Sequence, residues 1–283
     1  MRTIRILLDN IKFEHTIFAL PFAYLGMVLA ARGLPSMWQV VWVTVAMAAA
    51  RTLAMSVNRV IDAETDARNP RTAGRPIPRG LLTRRSVWLL SLVSLVVLLV
   101  SAWLLNDLCL RLAPLAIVVL VVYPYTKRFT WLSHWALGLA DAIAPMGGWI
   151  AVTASFAWEG VLLATAVGIW IAGFDLIYAC QDVDFDRREG LYSIPAQFGI
   201  ATALNLSTLT HALSALMLGV LGLIMGLTWP FWAGWLAACV LLAYEHSLVS
   251  PKDLSRLDMA FFNMNGYVAV VLFVGTFASL FVG

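Results

Sequence analysis

Charge is what this 283-residue chain has least of: 12% of its residues are charged, against about 25% in an average soluble domain. With 61% of the residues hydrophobic, that figure excludes a water-soluble fold of this length. The scarcity is also uneven, since no charged residue occurs at 86–106, 190–244 or 259–283. Runs of about 20 apolar residues are what membrane spans require. Cysteine is nearly as scarce. Cys109, Cys180 and Cys239 lie far apart in apolar stretches with no CxxC pair, which excludes a disulfide framework or a structural zinc site. Disorder and a nucleic-acid-binding domain fail on the same composition, despite a net charge of +3.

What is present divides into spans. Charge, Pro and Gly separate nine predicted helices, at 16–32, 37–64, 86–106, 108–126, 132–154, 158–184, 199–226, 229–247 and 259–282. The fold class is therefore all-α, a polytopic membrane protein forming one domain over 1–283. The first apolar run follows Arg2, Arg5 and Lys12 and resembles a signal peptide, but the rest of the chain is equally apolar and it reads as an uncleaved first span. Arg68, Arg71, Arg75, Arg79, Arg84, Arg85, Lys127, Arg128, Arg187, Arg188, Lys252 and Arg256 fall in loops on the side of those N-terminal cations. Only Arg32 and Arg111 fall on the other. The positive-inside rule then places the N-terminus in the cytoplasm and the C-terminus outside, as expected of a multi-pass protein of the inner (cytoplasmic) membrane.

Acidic residues at the mouth of a membrane helix are costly and need a reason. Here they form two sets. Asn58, Asp62 and Asp66 make an N-x3-D-x3-D pattern, and Tyr178, Asp182 and Asp186 make Y-x3-D-x3-D, each position displaced by 120 residues from its counterpart. On a helix, i and i+4 differ by about 40° and about 6 Å along the axis, so each set lines one face, while Glu64 and Asp184 point elsewhere. Two such faces across a cavity gather like charges that require a counter-ion. Hard oxygen ligands at that place suit Mg²⁺ bridged to a phosphorylated substrate. Arg51, seven residues before Asn58, shares its face, and the Pro- and Gly-rich loop 69–80 carries Arg71, Arg75 and Arg79, the side-chain type that matches phosphate oxygens. Tyr123, Lys127 and Arg128 add an aromatic ring and two cations at another cytoplasmic end. His134, His211 and His246 form no metal-ligand spacing and read as structural, and no chemistry is assigned to Asp141 or Glu245.

Taken in order, Asn58-x3-Asp62-x3-Asp66, Arg71-Thr72, Arg75-Pro76-Ile77-Pro78, Tyr123-Pro124-x2-Lys127-Arg128 and Asp175-x2-Tyr178-x3-Asp182-x3-Asp186 resemble the UbiA superfamily of intramembrane aromatic prenyltransferases. The Asp175-x2-Tyr178 lead is similar to the 4-hydroxybenzoate polyprenyltransferase branch. The segment from Lys12 to Pro21 looks closer to the group assigned to menaquinone formation by the futalosine route. The resemblance implies nine helices around a central cavity, with Asp62, Asp66, Asp182 and Asp186 holding Mg²⁺ on a polyprenyl diphosphate. Arg71, Arg75, Lys127 and Arg128 would offset the charge growing on the leaving diphosphate, and Tyr123 and Tyr178 would face the allylic cation. Asn58 and Asp175 complete the implied substrate contacts, and Arg51, placed on the Asn58 face by its spacing, is expected either to contact substrate or to form a structural ion pair within the membrane. The implied partners are polyprenyl diphosphate, an aromatic acid acceptor (4-hydroxybenzoate or a naphthoate) and membrane lipid, with no nucleic acid. A secondary transporter would instead place acids near mid-span. A CDP-alcohol phosphotransferase would carry an Asp-Gly-x2-Ala-Arg run that is absent here.

Overall fold

The computed structural model describes residues 6, 7, 10 and 14–282. Arg2, Arg5 and Lys12, which contribute to the orientation argument, lie outside the described residues. Helices account for nearly all the regular structure: α1 Glu14–Ala31, α2 Met37–Ile61, α3 Ala63–Arg68, α4 Arg84–Leu105, α5 Asp107–Thr126, α6 Ser133–Thr153, α7 Trp158–Ala179, α8 Val183–Glu189, α9 Ile194–Phe198, α10 Ile200–Ile224, α11 Trp229–Ser247 and α12 Asn265–Ser279. Among the described residues, seven helical segments are long and apolar enough to cross a membrane. The chain is an integral multi-pass membrane protein. Within α1 the stretch Leu20–Ala31 is apolar but shorter than a span, and Trp229–Ser247 falls below that hydropathy, so length and composition of the described residues do not establish the expected count of nine spans.

Local chemistry explains the boundaries. Ser36 and Gln39 form a reciprocal capping box at the start of α2, Thr83 accepts from the Ser86 amide at α4, and Asn106 from the Cys109 amide at α5. Pro230 stands in the first turn of α11, where its missing N–H costs nothing. Two expected spans end differently from the sequence reading. The span expected over 37–64 stops at Ile61, and Asp62 joins it to the short α3. The span expected over 158–184 stops at Ala179 and continues through a 3-10 turn, Cys180–Asp182, into α8.

α2 packs on α4 and α5, α6 joins α5 to α7 and α1, α7 lies against α10, and α12 closes onto α1 with α11 behind it. α7 is buried around most of its circumference, as an inner helix must be, and carries the second carboxylate set at its end. Small residues let these helices approach. A Cβ at Gly138 would run into the Gly168 carbonyl oxygen, and one at Gly26 into that of Pro145. These contacts draw α6 against α7 and α1. The three helices then form a wall that holds the ends of α2 and α7 across a shared cavity.

Candidate active site

The first motif begins on the last turn of α2. Asp62 leaves helical geometry at φ −90° and ψ 3°, yet its amide still donates to the Asn58 carbonyl (2.9 Å) and the Asp66 amide to that of Asp62 (2.7 Å). The three side chains therefore stay stacked although the helix breaks, and Asn58 Nδ2 donates to Asp62 Oδ2 at 3.1 Å. In the second motif Asp182 closes the 3-10 turn and Asp186 sits on α8. Glycine at position 190, with φ 68°, ends α8 in the left-handed conformation and returns the chain to Ser193, whose hydroxyl donates to Asp186 Oδ2 at 2.9 Å.

Each motif carboxylate meets one basic residue from the loops. Arg128 Nη2 lies 3.1 Å from Asp62, Arg75 Nη1 2.6 Å from both oxygens of Asp66, and Lys127 Nζ 2.8 Å from Asp186. Arg71 grips Asp182 with Nε and Nη2, and Asn69 Nδ2 adds a third donor at 3.1 Å. Burial, with Asp66 alongside, raises the Asp62 carboxyl above its ordinary pKa despite the Arg128 contact. Burial works most strongly against the Arg71 charge, but the hydrogen bond to Asp182 and the nearby charges of Asp182 and Asp66 together outweigh it and hold that guanidinium above its usual value. Among the described residues, no three His, Cys, Asp or Glu side chains converge as a ready metal site, and each motif carboxylate is instead paired with a cation. The donors themselves are hard oxygens on facing elements, the chemistry that Mg²⁺ takes.

All of these groups line one cavity of about 1000 Å³, which also takes in Arg51, Tyr123, Asp175 and Tyr178. Every site residue expected from sequence thus lines the same cavity. Glu64 and Asp184 face outward: Glu64 pairs with Arg84 at 2.9 Å, a contact that holds its carboxyl below its usual pKa, and Asp184 is exposed. Arg51 stands about 10 Å further along α2 than Asn58, from the rise over seven residues, and its Nε is buried without a hydrogen-bond partner. The deeper wall is apolar and aromatic, with Phe22, Leu120, Trp170 and Phe174. Tyr178 is held from two sides: Phe261 stacks on its ring at 4.1 Å, and Arg71 Nη1 donates to its hydroxyl at 3.1 Å.

Several contributors were not read from the sequence. His134, expected to be structural, lines the cavity and contacts Asp175 through Nδ1 at 2.6 Å. Asn69 and Ser193 bind motif carboxylates but belong to no repeated spacing, so only the folded loops bring them in. Arg59 is buried beside Asn58 and donates to the Asn10 carbonyl at 2.9 Å, which ties Asn10 to the cavity rim. Asp141 faces the cavity.

The sequence model described as the UbiA prenyltransferase family matches residues 19–267. The chain belongs to that family. It is accordingly a prenyltransferase enzyme. A 4-hydroxybenzoate octaprenyltransferase of Enterobacter sp. (strain 638) is 33% identical over 219 residues, covering 77% of this chain and 75% of that protein. A UbiA homologue from Aeropyrum pernix K1 superposes with a TM-score of 0.86 at 32% identity, over 93% of this chain and 97% of that one. A UbiA homologue from Archaeoglobus fulgidus, described as bound to GPP and Mg²⁺, shares the fold at a TM-score of 0.77 and 18% identity, over 98% and 100% of the two chains.

Proposed function

We propose that this UbiA family member transfers a polyprenyl group from its diphosphate to a ring carbon of an aromatic acid, with Mg²⁺ as cofactor, in quinone biosynthesis. The observation that carries the reading is the pairing of four motif carboxylates with four loop cations on the wall of a cavity that is apolar beyond them. Asp62, Asp66, Asp182 and Asp186 would hold Mg²⁺, which supplies positive charge to the diphosphate oxygens as the allylic C–O bond breaks. Arg71, Arg75, Lys127 and Arg128 then exchange carboxylate partners for diphosphate oxygens and neutralise the leaving group. Tyr178, braced by Phe261, and Tyr123 present aromatic faces to the allylic cation. The apolar wall receives the isoprenoid chain and keeps water from the cation. Arg51, whose Nε is buried without a hydrogen-bond partner, lines the same cavity as Asn58 and Asp175, and the three suit the carboxylate and hydroxyl of the acceptor. The names of the curated relatives favour 4-hydroxybenzoate, while the segment at 12–21 keeps a naphthoate in view.

We place the whole chain, 1–283, in one membrane domain of nine spans with both motif ends on the cytoplasmic side. A reporter inserted after Gly80 should then be cytoplasmic and one at the C-terminus outside; finding both on one side would remove the nine-span topology. The activity is tested by incubating membranes with labelled polyprenyl diphosphates and a panel of hydroxybenzoates and naphthoates, with Mg²⁺ or with EDTA. A prenylated aromatic acid formed only with the divalent ion is expected. Full turnover in excess EDTA, or no product with any acceptor, would overturn the reading.

A further inference from the structure

Glu245 belongs to no motif, yet it is fully buried near the end of α11. One carboxyl oxygen accepts from Asn265 Nδ2 at 3.1 Å, and the other has no hydrogen-bond partner. Burying a carboxyl with so few partners is costly, so something must be gained from it. The same Asn265 amide is directed at the Ala260 and Phe261 carbonyls, at 3.3 and 2.9 Å. Those carbonyls belong to a π-helical turn, Met259–Met264, that leads into α12. Such turns disturb the i→i+4 ladder, and here the Asn265 side chain bonds to the carbonyls within it. With three acceptor oxygens around Nδ2, the amide has only one workable orientation. Phe261, carried on that turn, stacks on Tyr178 at 4.1 Å with the rings 25° apart. Tyr178 in turn contacts Arg71, which grips Asp182.

We propose that Glu245 is a positioning residue for prenyl transfer: through Asn265 it fixes the π-helical turn that seats Phe261 against Tyr178. This rests on reading the cavity as the prenyl-transfer site. What the turn needs from position 245 is an acceptor oxygen, not a charge, since Asn265 Nδ2 is the group held. Glutamine keeps that oxygen and alanine removes it. A loosened Phe261 leaves the Tyr178 ring less ordered against the developing cation, an effect on the transition state more than on donor binding.

The test uses the full chain in lipid nanodiscs, with Phe261→4-fluorophenylalanine as a spectroscopic probe and geranyl diphosphate, 4-hydroxybenzoate and Mg²⁺ for turnover. Glu245→Ala and Asn265→Ala should each move the ¹⁹F resonance at 261 and lower kcat about tenfold, the order of one aromatic contact, with donor KM within about twofold. Glu245→Gln should leave both readouts near the parent values. An unmoved resonance in Glu245→Ala, unchanged kcat, or a Glu245→Gln variant as impaired as Glu245→Ala would overturn the proposal. If Glu245→Ala fails to fold, Asn265→Ala and Glu245→Gln decide on the same criteria. Absence of turnover in the parent protein would count against the assigned reaction, while the ¹⁹F comparison would still decide whether Glu245 positions Phe261.

Discussion

The two carboxylate motifs share a spacing but not an environment. In the first, Asp62 keeps 28% side-chain exposure and meets Asn58 and Arg128, while Asp66 has Arg75 from its own loop. In the second, Asp186 is fully enclosed and bound by Lys127 and Ser193, and Asp182 takes three donors from Asn69 and Arg71. The cations also cross over: Arg71 follows the first motif but serves the second, and the adjacent Lys127 and Arg128 divide between Asp186 and Asp62. A repeated spacing therefore yields two unequal halves stitched into one site. The second is held by more donors, and the first is more open to solvent at Asp62.

That inequality can be broken experimentally. The largest effect is expected from Asp182→Asn, which removes the charge under the Arg71 fork: turnover at saturating Mg²⁺ should fall on the order of a thousandfold or more, measured in protein shown to be inserted. Next come the neighbours. Lys127→Ala leaves the enclosed Asp186 without its cation, so activity and thermal stability should fall together, by less than the about 3–5 kcal/mol that breaking a fully buried pair costs, because Lys127 is 35% exposed. Arg128→Ala strips a partly solvated carboxylate and should lower turnover by about tenfold with little change in Tm. Equal losses of stability in the two variants would remove the distinction drawn between the halves. The smallest effects are expected at the outward acids, where Glu64→Gln and Asp184→Asn should retain most activity at saturating Mg²⁺; damage comparable to Asp182→Asn would contradict the face assignment.

Much of this was legible in the sequence because it depends on periodicity. The helix boundaries followed charge and Pro, and the i, i+4 spacing of Asn58, Asp62 and Asp66 survives the helix break at Asp62 because the backbone hydrogen bonds continue across it. The break itself was not legible, nor the 3-10 turn before Asp182, since both arise where polar residues compete with the helix at its mouth. Nor could spacing alone assign partners. Arg71 reaches Asp182 across more than a hundred residues of chain, and Asn69, Ser193 and His134 enter through loops and packing that carry no period. Trp229–Ser247 shows the limit on the apolar side: Glu245 and His246 dilute its hydropathy, although the residues that do so are buried or partly buried.

The direct test of a single shared site is a double-mutant cycle between the motifs, reading the affinity of Mg²⁺ with geranyl thiodiphosphate by calorimetry for the parent, Asp62→Asn, Asp182→Asn and the double variant. If both motifs hold the same metal-diphosphate unit, the double variant should bind no more than about twofold worse than the weaker single variant, because the first loss already dismantles the shared site. Losses that multiply across the two motifs would mean two independent sites and would contradict the crossed pairing as the basis of catalysis.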